Sequence, residues 1–283
     1  MLERALAAVR GLADRLDLTA DNSELLHDGS NVLVRVGSVV AKVATTTASV
    51  RPDAAAWQER DVTLARFAGA RGVPVVRPCD VPPAGPHHQD GFAITLWPHT
   101  AHDQGGVTGP EEVGVLLGRL HASLADYGGA LPDDGPMREI DDILGMLDPT
   151  DAPADVLSAL RERAPLSMTR ADRAAADWPV QALHGDAHPG NLLVTVDGPR
   201  WIDFEDAWRG PIAWDLAVLA RTSRLDGRAA VAAYPGAPPI ASIEPFVRLR
   251  RLHVACWHLI LARRFPDRRD AARADVEAYL SAP

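Results

Sequence analysis

The residues Leu183-His184-Gly185-Asp186-Ala187-His188-Pro189-Gly190-Asn191 gather more reactive side chains than any other stretch of the 283-residue chain. Asp203 follows twelve residues after Asn191, within Ile202-Asp203-Phe204-Glu205-Asp206. A carboxylate, an amide five positions on and a second carboxylate returned by a hairpin are what phosphoryl transfer requires. Asp186 can accept the proton of an attacking hydroxyl, and Asn191 and Asp203 offer hard oxygen ligands for a Mg²⁺ ion that bridges nucleotide phosphates. Two other uses exist for the same residues. His184, Asp186 and His188 stand at alternate positions, as metal ligands do in some metallohydrolases, but no further His or Asp has suitable spacing to complete that set. Either histidine could instead satisfy backbone groups in a turn. Only the phosphoryl-transfer reading uses Asp186, Asn191 and Asp203 together.

The elements that must position these residues can be read from periodicity. Leu2, Leu6, Val9, Leu12 and Leu16 repeat at helical spacing. Asn31–Val36 and Ser38–Val43 are short β-type runs joined at Gly37-Ser38. A helix is expected over 53–70, and residues 74–90, with five prolines, form a loop leading to the apolar strand Gly91–Trp97. Polar residues 98–109 hold a boundary between residues 1–98 and 99–283. A helix then opens at Pro110, with Glu111 and Glu112 beside its positive end. Another spans 154–176, and the runs Leu192–Val196 and Arg200–Phe204 flank an Asp197-Gly198 turn. The remainder is helical. The order, β-rich first and helical afterwards, predicts an α+β protein of two lobes, with ligands bound where such lobes meet.

The motifs His184-Gly185-Asp186-Ala187-His188-Pro189-Gly190-Asn191, Ile202-Asp203-Phe204-Glu205-Asp206 and Gly210-Pro211-Ile212-Ala213-Trp214-Asp215-Leu216-Ala217 together resemble the aminoglycoside phosphotransferase family, relatives of the protein kinases. The resemblance runs along essentially the whole chain. It implies a two-lobed, protein-kinase-like fold: a small antiparallel-sheet lobe, then a mostly helical lobe carrying the catalytic loop and hairpin. It implies Asp186 as catalytic base, Asn191 and Asp203 as magnesium ligands, and Asp215, with His184, as support for the catalytic loop. The same resemblance asks for a lysine on the third strand and a glutamate on the next helix, met here by Lys42 and Glu59. A Gly29-Ser30-Asn31 turn would cover the phosphates of ATP or GTP, and the Leu96, Trp97 and Pro98 backbone would meet the purine.

Composition bounds the remaining choices. Lys+Arg number 29 against 38 Asp+Glu, a net charge of −9, so nucleic acid and anionic membrane surfaces are poor partners. Lys42 is the only lysine in the sequence, and Ala41 before it excludes a Walker-type phosphate loop. Its lone survival suits a site where a compact ammonium meets phosphates and a carboxylate, a role arginine fills poorly. No apolar run reaches membrane-span length, the N-terminus lacks a signal-peptide pattern, and two isolated cysteines make no metal or disulfide framework, which together predict a cytoplasmic monomer or homodimer. Family acceptors range from aminoglycosides and basic peptides to choline, homoserine and sugars. Acidic residues between Asp133 and Asp151, together with Glu205 and Asp206, favour a cationic antibiotic, and a metabolic small alcohol is the alternative. A catalytically silent nucleotide binder would usually lack one of Lys42, Asp186, Asn191 or Asp203, and all are present.

Overall fold

A computed structural model describes residues 1–18 and 23–282. The chain forms two compact units, Met1–Val107 with Asn191–Asp206 and Thr108–Gly190 with Ala207–Pro283.

In the first unit, helix α1 (Leu2–Arg15) precedes strands β1 (Ser23–Asp28), β2 (Asn31–Val36) and β3 (Val39–Ala44), the short helix α2 (Thr46–Val50), helix α3 (Ala54–Ala70), and strands β4 (His87–Gln89) and β5 (Phe92–Pro98). The five strands make one antiparallel sheet in the order β1-β2-β3-β5-β4. Gly37 takes φ 60° at the β2–β3 turn, a conformation that costs glycine little. The apolar stripe of α1 (Ala5, Ala8, Val9, Leu12) packs on Val32, Val34, Val43, Ile94 and Leu96 of the sheet. Asp53 caps α3 by accepting the Ala56 N–H at 3.1 Å.

The hairpin β7 (Leu192–Thr195) and β8 (Gly198–Trp201) belongs to this first unit, although the sequence places residues 99–283 in one lobe. Backbone pairing explains the assignment. Trp201 N–H donates to Pro74 O at 2.9 Å, Val76 N–H to Trp201 O at 2.9 Å, and Asp103 N–H to Val194 O at 2.9 Å. Trp201 itself is fully buried.

The second unit is helical: α4 (Pro110–Leu124), α5 (Gly135–Met146), α6 (Ala154–Ala175), α7 (Ala213–Ala220), α8 (Gly227–Ala232), α9 (Glu244–Arg264) and α10 (Arg269–Ser281). Strands β6 (Val180–Ala182) and β9 (Arg209–Pro211) pair antiparallel. Helix α9 is central, packed against α5, α6, α7 and α10, and it buries Leu249, Leu252, Leu259 and Ile260.

Candidate active site

In the first unit, β3 carries Lys42 inward, and its ammonium meets three carboxylates: Asp61 at 2.7 Å, Glu205 at 2.8 Å, and Asp203. Burial alone would lower the lysine pKa. The three carboxylates outweigh it and hold Lys42 well above its ordinary value, so it stays a cation. Asp61 uses its other oxygen to accept the Phe204 N–H at 2.7 Å, which fixes the backbone beside Asp203. Asp203 adopts φ 69°, a left-handed conformation that only Gly, Asn and Asp visit with ease. At the other end of the hairpin, Asn191 is buried and its carbonyl accepts the Ile202 N–H at 3.0 Å, so Asn191 and Asp203 flank one short β-ribbon.

Glu205 extends this network. It accepts the Asn31 amide at 3.0 Å and the Arg51 guanidinium at 3.1 Å, and Arg51 also binds Asp206. Asn31 in turn accepts the Thr47 hydroxyl at 2.7 Å, while Ser30 O accepts the Thr45 hydroxyl at 3.1 Å and Gly29 N–H donates to Asn31 O at 3.1 Å. The Gly29-Ser30-Asn31 turn is thereby tied to the segment that bears Asp203.

Two expectations need correction. Glu59 is exposed and does not reach Lys42; the helix carboxylate on the lysine is Asp61. The phase of α3 is the reason, since Gln58, Asp61, Ala65 and Ala68 are buried while Glu59, Thr63 and Arg66 form the outer face. Leu96, expected to offer its backbone to a purine, has its N–H on Ala84 O at 2.8 Å and its carbonyl on the Cys79 N–H at 3.1 Å. Trp97 buries its side chain and donates its indole N–H to Thr95 at 3.0 Å, leaving Pro98 as the exposed member of the three.

In the second unit, the segment 183–190 turns at Gly185, whose φ is 86°. Asp215, fully buried near the start of α7, accepts the His184 N–H and the Gly185 N–H, both at 2.9 Å. Trp214 donates its indole N–H to Gly185 O at 2.7 Å. Behind Asp215 stands His121, with Nε2 at 3.0 Å from it and Nδ1 at 2.9 Å from the Tyr234 hydroxyl. Burial, and then the Asp215 charge, push the Tyr234 pKa up to about 12. The Asp215 carboxylate can only accept, which puts a proton on His121 Nε2 and, in the neutral imidazole, leaves Nδ1 to accept from the phenol. His184 is buried with its Nδ1 accepting the Asp186 N–H at 3.3 Å.

Asp186 is thus held at a braced turn. His188 accepts the Gly190 N–H on Nδ1 at 2.9 Å, which leaves Nε2–H to face Asp186 at 3.2 Å. Arg250 of α9 binds the other carboxylate oxygen. Burial would raise the Asp186 pKa, but the Arg250 guanidinium and the His188 hydrogen bond hold it well below the carboxylate range. Arg250 also donates to His253 Nδ1 at 3.0 Å, and His253 Nε2 donates to Glu139 at 2.7 Å, a carboxylate that also accepts the Trp257 indole at 2.8 Å.

Residues 17–239 match the model of the phosphotransferase enzyme family. The chain belongs to that family. Stress response kinase A of Escherichia coli K12 is 34% identical over 100 residues, which make up 32% of this chain and 29% of that protein. An amicoumacin kinase solved with AMP-PNP and Ca²⁺ superposes with a TM-score of 0.72 at 14% identity, covering 99% of this chain and 96% of that one. A choline/ethanolamine kinase family protein from Mesorhizobium loti does so with a TM-score of 0.62 at 18% identity, covering 98% and 96%. The α+β, kinase-like fold expected from the motifs is the fold these structures share.

Several residues of this candidate site were not legible from its motifs. Asp61 could have been found from the inward phase of α3. Arg250, His253 and Trp257 recur at helical spacing along α9 among apolar neighbours, and a polar stripe on a core helix is itself a signal. Glu139 lies on α5, within a stretch that acidity alone marks as solvated loop.

Proposed function

We propose that the chain moves the γ-phosphoryl group of ATP or GTP to a hydroxyl of a small molecule. The observation that carries this reading is the meeting of the one lysine of the sequence with the Asp203 carboxylate in a shared buried network. The donors around it fit a hard divalent cation. Asp61, Asp203 and Glu205 bring carboxylate oxygens within 4.8 Å of one another, and Asn191 adds an amide on the same hairpin, with no sulfur or imidazole among them. Asn191 and Asp203 would hold Mg²⁺, whose contribution is to neutralise charge on the nucleotide phosphates. Lys42 binds phosphate oxygens, and Asp61 keeps its ammonium on station. Asp186 orients the acceptor hydroxyl and takes its proton. A carboxylate of depressed pKa is a weak base, which suits a loose transition state where the proton departs late.

Four of the acidic residues that pointed to a cationic antibiotic have partners of their own. Glu205 and Asp206 bind Lys42 and Arg51, Glu139 binds His253, and Asp151 binds Arg263 at 2.6 Å. That engagement favours a metabolic hydroxyl compound over a polycation. A cytoplasmic setting fits the reading, since Cys79 and Cys256 are buried free thiols and no helix among the described residues is long and apolar enough to cross a membrane. The test is release of ADP from ATP, or of GDP from GTP, with Mg²⁺ and a panel of hydroxyl acceptors. Asp186→Ala is expected to abolish acceptor-dependent release while preserving nucleotide binding; full turnover by that variant would defeat the assignment.

A further inference from the structure

We propose that the acceptor carries an anionic group, a carboxylate or a phosphate, beside its reactive hydroxyl, and that Arg221, Arg224 and Arg251 around the catalytic loop receive it. The inference rests on the assignment of Asp186 as the base.

Arg250 and Arg224 touch the Asp186 loop within the second unit, Arg251 follows Arg250 on α9, Arg221 closes α7, and only Arg250 is neutralised directly. Arg250 binds Asp186. Arg224, just beyond α7, presses against the loop from another side. Its Nε lies 3.0 Å from where a Cβ would stand on Gly190, and the His188 ring lies 2.5 Å from the same point, so a side chain at 190 would force the His188 ring to shift. The Arg224 guanidinium is exposed and makes no hydrogen bond or ion pair among the described residues. Arg221, at the C-terminal cap of α7, is likewise exposed without an ion pair. Partial burial, and then the Arg251 and Arg250 charges, pull its pKa down, against weaker support from Asp275 and Glu244. Of those two carboxylates, Asp275 is already engaged by His258 Nδ1 at 2.5 Å. Arg251 has its Nε enclosed by protein with no partner atom.

An acidic protein that keeps an unpaired Arg224 against its catalytic loop, with Arg221 and Arg251 lacking ion pairs on the helices that brace that loop, maintains a local field opposite to its net charge of −9. Guanidinium forks match carboxylate and phosphate oxygens in pairs, and mutual repulsion among them is relieved when an anion binds. A cationic acceptor would meet repulsion here. The nucleotide is a second source of phosphate, so the experiment must separate the two.

Matched acceptors differing in one anionic group provide the test: serine against ethanolamine, and glycerate and glycerol 3-phosphate against glycerol, compared by kcat/KM for ADP release at saturating nucleotide. The expected result is turnover of at least one anionic member in preference to its partner, a preference that weakens as salt is raised. Arg221→Ala and Arg224→Ala, each checked for an unchanged thermal midpoint, should shrink that preference by about tenfold, the loss of one charge-assisted hydrogen bond. The KM for nucleotide should hold. Turnover of cationic or neutral members alone, or of no anionic member, overturns the proposal. So does a rise in nucleotide KM with no change in acceptor preference, which would give the arginines to the nucleotide. Asp186→Ala run in parallel keeps the two readings apart: its retention of turnover defeats the base assignment, whereas loss of turnover without anionic preference defeats only the acceptor class.

Discussion

Lys42 has three carboxylates within ion-pair distance, and their roles are separable by substitution. Asp61 is fully enclosed and bridges the lysine to the Phe204 N–H, while Glu59 points outward on the same helix. Asp61→Asn keeps the shape but removes the charge that orients the ammonium. It should lower kcat/KM by about 10²-fold, equivalent to ~2.7 kcal/mol of transition-state stabilisation. Glu59→Gln should leave kcat/KM within about twofold, because surface charges contribute little. Steady-state kinetics on both variants decides the matter, and equal losses would contradict the assignment of Asp61. Lys42→Arg is a companion case: a planar fork cannot replace a point charge shared by three carboxylates, so activity should fall despite the retained charge. Lys42 and Asp203 were singled out by residue type and order, and the structure brings their side chains together. Asp61 was not singled out, because choosing between two acids two positions apart requires the rotational phase of α3, and its mixed apolar positions Trp57, Val62, Leu64 and Phe67 lie on more than one face.

Elements were legible where burial imposes a period. The β2–β3 ribbon, α1, α3 and α4 all show theirs, and each formed close to its expected bounds. Strand β1 escaped because Ser23 to His27 are exposed and the pairing shifts between Leu25 and His27, so no alternation marks it. Helix α5 escaped because its acidic surface hides a buried face of Glu139, Ile140, Ile143 and Leu144. The hairpin β7–β8 was visible in sequence, but its attachment was not, since that depends on backbone pairing of Trp201 with residues 74–76. Trp201 is the anchor of this element. Trp201→Ala should destabilise the protein by about 3–5 kcal/mol, with Trp201→Phe recovering part of the loss. Urea unfolding measures both. Asp215 plays the matching part for α7, and Asp215→Asn places an amide where two N–H groups require acceptors. That change should cost about 1–3 kcal/mol and reduce kcat while leaving nucleotide binding intact, as read by kinetics and nucleotide titration.

Charge acts on the whole chain through its paired carboxylates. Asp186 and Asp151 are held below the usual carboxylate range by Arg250 and Arg263, against the burial that would raise them. A folded-state pKa below the unfolded value gives stability that is present above about pH 4 and is lost as pH falls through the folded values. The urea midpoint should therefore drop on acidification below pH ~4, and Asp186→Asn should flatten part of that drop. Cooperativity across the molecule is open to a chemical test, because each unit holds one buried thiol: Cys79 in the first and Cys256 in the second. Burial, and then the Glu139 charge, push Cys256 up to about 12, and burial with Asp80 raises Cys79. Neither is a thiolate at neutral pH, so both should resist alkylation in the native protein. Neither unit is a continuous segment, since the chain passes between them after Val107, Gly190 and Asp206. Three crossings of the chain tether the units to each other, and such tethering favours their unfolding together. Pulsed alkylation across a urea series, read by peptide mass, should show both thiols becoming reactive over the same range; a clear separation of the two midpoints would show that the units unfold independently.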